Sequence, residues 1–126
     1  MIIRSLEDLQ VFRRANELAD EISTILDRPR LQQFPELRQP LADASAAIGP
    51  RIGEGFGQGT DRHCAHFQRL ARGSANEMLG HLAAARGRQC ISSEECERWS
   101  REYETVGKQL TKWIQHLRRE DRRDRG

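Results

Sequence analysis

Trp99, Tyr103, Val106, Leu110, Trp113 and Leu117 follow one another at steps of four, three, four, three and four. That is a strict heptad, and it marks one apolar stripe on a long helix. Ser92 with Glu95 makes a capping box in front of it, so the spacing predicts a helix over about 93–118. Charged residues make up 32% of the chain and aromatics 6%. Such a chain builds its core from Leu, Ile, Val and Ala on narrow stripes, which is the economy of a helical bundle.

The upstream segments repeat the pattern. Ser5 and Asp8 form a plausible capping box, and Leu6, Leu9, Phe12, Ala15, Ala19, Ile22 and Leu26 recur at three and four, predicting a helix over about 5–28 that Pro29 stops. Pro35 suits a first helical position, and Leu37, Leu41, Ala44, Ile48 and Ile52 extend a stripe to about residue 54. Pro40 and Pro50 interrupt that helix, so kinks are expected there, or a start nearer Gln39. Four alternating glycines, Gly53, Gly55, Gly57 and Gly59, read as a helix C-cap and turn. Thr60 or Asp61 caps a third helix over about 61–86, with Cys64, Phe67, Ala71, Ser74, Met78, Leu82 and Ala85 on its seam and Gly87 as its C-cap. Gly73 and Gly80 each weaken that helix by about 1 kcal/mol relative to Ala, a cost best understood if something packs closely against them.

These elements define an all-α fold, an antiparallel up-down-up-down left-handed four-helix bundle over 1–117, followed by a charged flexible tail over 118–126. At 126 residues the chain is one domain. The three cysteines follow no disulfide framework, the N-terminus lacks the apolar core of a signal peptide, and no apolar run approaches the roughly 20 residues of a membrane span. A cytoplasmic protein without membrane contact is the expectation.

Further residues carry a family likeness. The runs F-P-E-L at Phe34, A-I-x-x-x-I-x-E-G-F-G from Ala47 to Gly57, and F-x-R-L-A-R-G-S-A-N-E from Phe67 to Glu77 resemble the 23S rRNA intervening-sequence four-helix-bundle family, which includes the accessory variability proteins of diversity-generating retroelements. The resemblance extends from Leu9 into the last helix. It implies an antiparallel four-helix bundle that assembles into a homopentameric ring, and in the retroelement branch a basic ring working with a reverse transcriptase and structured RNA. Where members read S-I-P-x-N-I-A-E-G, this chain has Pro50 displaced by one position and Arg51 in place of the asparagine.

The candidate chemistry is basic. Of 21 basic residues only Lys108 and Lys112 are lysines, and arginine's planar fork suits phosphate. Residues 62–76 hold Arg62, His66, Arg69 and Arg72 and no acid, with Arg62, His66 and Arg69 on one helical face. With Arg51 these are the candidate nucleic-acid-binding residues; the alternative is a solvated face or salt bridges between subunits. Five copies in a ring would raise the chain's +2 to about +10. Arg118, Arg119, Arg122, Arg123 and Arg125 read either as a mobile polyanion arm or as a charge-mixed solubilising end. The glycine turn lacks the lysine and strand of a phosphate-binding loop. His63, Cys64, His66, Cys90 and Cys96 are zinc donors by type, but Cys64 and Cys90 flank opposite ends of one helix, which leaves only a set shared between subunits. Glu54 and Glu77 lack a companion nucleophile, so they read as structural acids. The expectation is a non-enzymatic protein with no cofactor, metal or small-molecule substrate. It binds itself and either structured RNA or an RNA-handling protein such as a reverse transcriptase. A protein–protein scaffold is the second reading.

Overall fold

A computed structural model describes residues 9–125, and within them every regular element is helical. Four long helices and a single-turn one pack as a bundle: α1 (Gln10–Ser23), α2 (Pro29–Gln32), α3 (Pro35–Phe56), α4 (Asp61–Gly87) and α5 (Ser93–Arg125). α4 packs along both α3 and α5, α1 rests on α3 and α5, and α2 covers α3. The Ser5–Asp8 capping box and Leu6 lie outside the described residues.

α1 buries Val11, Ala15, Leu18 and Ile22. Of the predicted stripe, Leu9, Ala15 and Ile22 are buried, while Phe12, Ala19 and Leu26 are half-buried shoulders beside Val11, Leu18 and Ile25. α1 also ends at Ser23, earlier than expected. Ser23 Oγ and Thr24 Oγ1 donate to the carbonyls three residues back, at 2.7 and 2.6 Å, and the next backbone amides bond three residues back as well. Hydroxyl competition of this kind tightens and closes a helix. Pro29 does not stop α1; it opens α2, whose Leu31 is completely buried.

α3 starts at Pro35 and continues through both Pro40 and Pro50, so the later start near Gln39 is not taken. It buries Leu41, Ala44, Ile48 and Ile52, as the spacing predicts. No glycine among the described residues has a positive φ, so the glycine signature is not a demand for left-handed backbone. Gly49 and Gly55 are sites of close approach instead. A Cβ at Gly49 would overlap the Asn16 amide of α1, and one at Gly55 would overlap Gln68 Nε2 and lie 2.9 Å from Phe67 Cβ on α4. Gly57 caps α3.

Thr60 caps α4, accepting from the His63 amide at 3.2 Å. Gly87 is its last residue rather than its C-cap, and the left-handed residue beyond is Gln89, at φ 62°. The expectation of close packing at Gly73 and Gly80 is not met among the described residues, where a Cβ at either would meet open space.

The Ser92–Glu95 capping box at the head of α5 is closed in both directions, at 2.9 and 3.0 Å. α5 buries Cys96, Trp99, Tyr103, Val106, Leu110, Ile114 and Leu117. The heptad therefore holds to Leu110, after which a second step of four selects Ile114 and leaves Trp113 half-buried. A straight helix at 3.6 residues per turn drifts in this way against a 3.5 repeat. Beyond Leu117 the chain remains helical to Arg125. Arg123–Glu120 at 3.3 Å and Arg125–Asp121 at 3.5 Å brace the last turns, at the spacings where helix neighbours meet.

Ion pairs tie α1 to α5. Arg14 reaches Glu102 at 2.8 Å, Arg98 reaches Glu21 at 2.8 Å, and the Trp99 indole donates to Glu21 at 3.1 Å. Arg28 grips Glu95 through two bonds of 2.9 and 2.6 Å.

Candidate nucleic-acid interface

Neighbouring contacts run in opposite directions along α4 and α5: Arg72 donates to Thr111 Oγ1 at 3.2 Å, whereas Leu82 O accepts from Cys96 Sγ at 3.7 Å. The first turns of α4 therefore lie beside the last turns of α5. Since α5 stays helical past Leu117, Arg118, Arg122 and Arg125 fall on one side of it. They meet Arg62 and Arg69 of α4 across a groove of about 330 Å³, floored by Ala65 and Leu117 and containing Asp61 and Asp121.

The charge follows the same geometry. Residues 61–76 and 105–125 carry ten basic residues against four acids, a local charge of +6 in a chain whose net charge is +2. Guanidinium groups facing one groove suit a string of phosphates, each able to offer paired N–H donors.

The five residues singled out in the sequence are not all placed together. Arg62 and Arg69 line the groove. Arg72 lies further along α4, bonded to Thr111, in an adjoining groove of about 630 Å³ that also receives Lys108 and Lys112. Arg51 is half-buried between α3 and α4, donating to Leu70 O at 3.2 Å and Ser74 Oγ at 3.1 Å. His66 is exposed, its ring set edge-on to Phe67 at 5.5 Å, and does not line the arginine groove. Sequence reasoning left Arg118, Arg122 and Arg125 out of the site. The signal available was their four-then-three spacing, which continues the helical register of α5.

Other chemistry-bearing groups are placed elsewhere. The Cys64 thiol is buried and pushed up by desolvation, and its one side-chain partner is Gln68, at 3.6 Å. Gln68 also donates to Ile52 O at 3.3 Å beneath Gly55. Glu54 and Glu77 stand exposed on α3 and α4. Among the described residues no three His, Cys, Asp or Glu side chains are grouped to hold a metal ion, and no helix is long and apolar enough to cross a membrane.

Comparison with curated proteins finds no match. The sequence profile of a family described as 23S rRNA-intervening sequence protein matches residues 7–112. That span takes in Arg62 and Arg69 and ends within α5, so the three groove arginines of its last turns, Arg118, Arg122 and Arg125, lie beyond it. Most of the chain is covered, from before α1 to Lys112, and the protein belongs to the 23S rRNA-intervening sequence protein family.

Proposed function

We propose that this protein is a non-enzymatic, RNA-associated accessory protein that holds the phosphate backbone in the groove between α4 and α5. The observation that carries this reading is the convergence of Arg62, Arg69, Arg118, Arg122 and Arg125 on one groove. Backbone contacts of this kind position a nucleic acid without reading its sequence. The helices follow an antiparallel up-down-up-down order with a left-handed twist, and the subunits close into a ring of five. Structured RNA, alone or with a reverse transcriptase, is the partner. The cytoplasm is the compartment.

The outer face of α4 supports self-association. Gly73, Gly80 and Gly87 recur every seven residues on its exposed side, each with open space where a Cβ would stand. Leu70, 39% exposed, precedes them on the same stripe. A neighbouring helix seated there accounts for glycines that nothing inside the subunit requires. The same face favours the second reading, a scaffold that presents repeated sites to another protein.

Fluorescence anisotropy with a structured RNA separates the two. Five arginines on phosphates give a log–log salt slope of about −3.5, so affinity falls about 100-fold between about 50 and about 200 mM salt. Arg69→Ala with Arg122→Ala flattens that slope by about 1.4. Flat titrations at both salts, from protein shown to be folded, overturn the RNA reading and leave the scaffold.

A further inference from the structure

A second depression, also of about 330 Å³, lies on the other flank of α5, between that helix and the start of α1. Leu9 and Val11 wall one side; Gln109, Lys112, Trp113 and His116 line the other. Trp113 sits one turn before Leu117, and both pack on Cys64 and Ala65 in a single apolar cluster. Lys112 lines both this depression and the neighbouring groove that holds Arg72, so it lies between the two.

Two side chains of the depression are incompletely satisfied among the described residues. Trp99, on the same helix, is 3% exposed and bonds Glu21, whereas Trp113 is left half-buried. Gln109 Oε1 is buried and has no hydrogen-bond partner among the described residues. An acceptor withdrawn from water and left unpaired is unfavourable until something donates to it. Lys112 stands exposed at the rim.

We propose that this depression is a stacking subsite for one unpaired base of a nucleic acid whose phosphates lie in the arginine groove, an inference that rests on the RNA-binding reading above. The Trp113 indole supplies the stacking face, Lys112 meets the adjoining phosphate, and Gln109 Oε1 accepts from an exocyclic amine. A cytosine N4 donates there, whereas uracil has an acceptor, O4, at that position and can donate only through its N3–H. Bases inside an A-form duplex are stacked and paired and cannot enter. The preferred ligand is a single strand, loop or bulge carrying an amino-bearing base.

The test uses the full chain with a 12-nucleotide oligocytidylate, the matching oligouridylate and a blunt 12-base-pair RNA duplex, read by anisotropy and tryptophan emission. Oligocytidylate is expected to quench emission from Trp113, Trp99 being buried, and to bind about 10-fold more tightly than oligouridylate. Trp113→Leu should weaken oligocytidylate about 10-fold and leave the duplex unchanged, while Trp113→Phe retains a ring and most of the affinity. Gln109→Leu should make the two single strands equal. Unquenched emission, or a Trp113→Leu effect that is the same on strand and duplex, overturns the subsite while salt-dependent binding stands. Failure of every probe to bind overturns the RNA reading together with it.

Discussion

Gly55 and Gly73 are the same residue in the same kind of helix, and substitution separates them. At Gly55 the backbone of α3 lies against Gln68, Phe67 and the Cys64 carbonyl of α4, so a methyl group has nowhere to go. Gly55→Ala should cost about 2 kcal/mol in urea unfolding, through overpacking at a contact between two helices. At Gly73 the same methyl meets open space, and Gly73→Ala should leave the isolated subunit as stable or about 1 kcal/mol more so. Neither outcome was legible in the sequence. Glycine is chosen for a left-handed φ, for a turn or for close approach, and the letter is identical in each case. Arg51 illustrates a related limit: its position between Leu70 and Ser74 depends on how α3 lies on α4, which no spacing within α3 reports.

At the scale of elements, the head of α5 was legible and its tail was not. The capping box and heptad are local patterns, and both are present as the spacing implies. Glu95 adds a role in tertiary structure, since Arg28 and the Ser92 amide hold its carboxyl down to about 2, with the Arg28 bond the largest cause. A depressed carboxyl stabilises the fold above its ordinary value of about 4.5, and that contribution is lost as pH falls from about 4.5 towards about 2. Glu95→Gln should therefore lower the unfolding free energy at pH 7 by about 1 kcal/mol, a magnitude usual for a partly exposed pair that also caps a helix. The two unfolding curves should converge as the pH approaches about 2. The tail reads as solvated because its apolar periodicity ends at Leu117. What keeps it helical is charge spacing, Glu120 to Arg123 and Asp121 to Arg125, on a helix already nucleated by its packed turns. α1 misled in another way: Phe12, Ala19 and Leu26 have the same seven-residue spacing as the buried Val11, Leu18 and Ile25, so periodicity alone could not choose between adjacent positions.

Across the whole molecule the net charge conceals more than it reveals. Ten of the basic residues gather where α4 begins and α5 ends, and the remainder of the chain is net acidic. A parallel ring of such subunits would carry its positive charge on one face, which is the arrangement that steers a polyanion. The same ring predicts that Gly80→Leu, placed on the exposed side of α4, leaves helicity intact and shifts sedimentation towards the single subunit. An unchanged sedimentation profile would remove that face from the assembly. The helical fold was legible because it repeats every few residues, whereas the groove joins arginines more than forty positions apart and depends on the tail's persistence as helix. The groove's two banks differ in origin, one on the frame that the family shares and the other on the final turns of α5 beyond it. Those turns form a graftable cassette: exchanging residues 118–125 for an acidic or neutral helical segment should reverse or erase the attraction for polyanions, while the buried frame keeps its shape and stability.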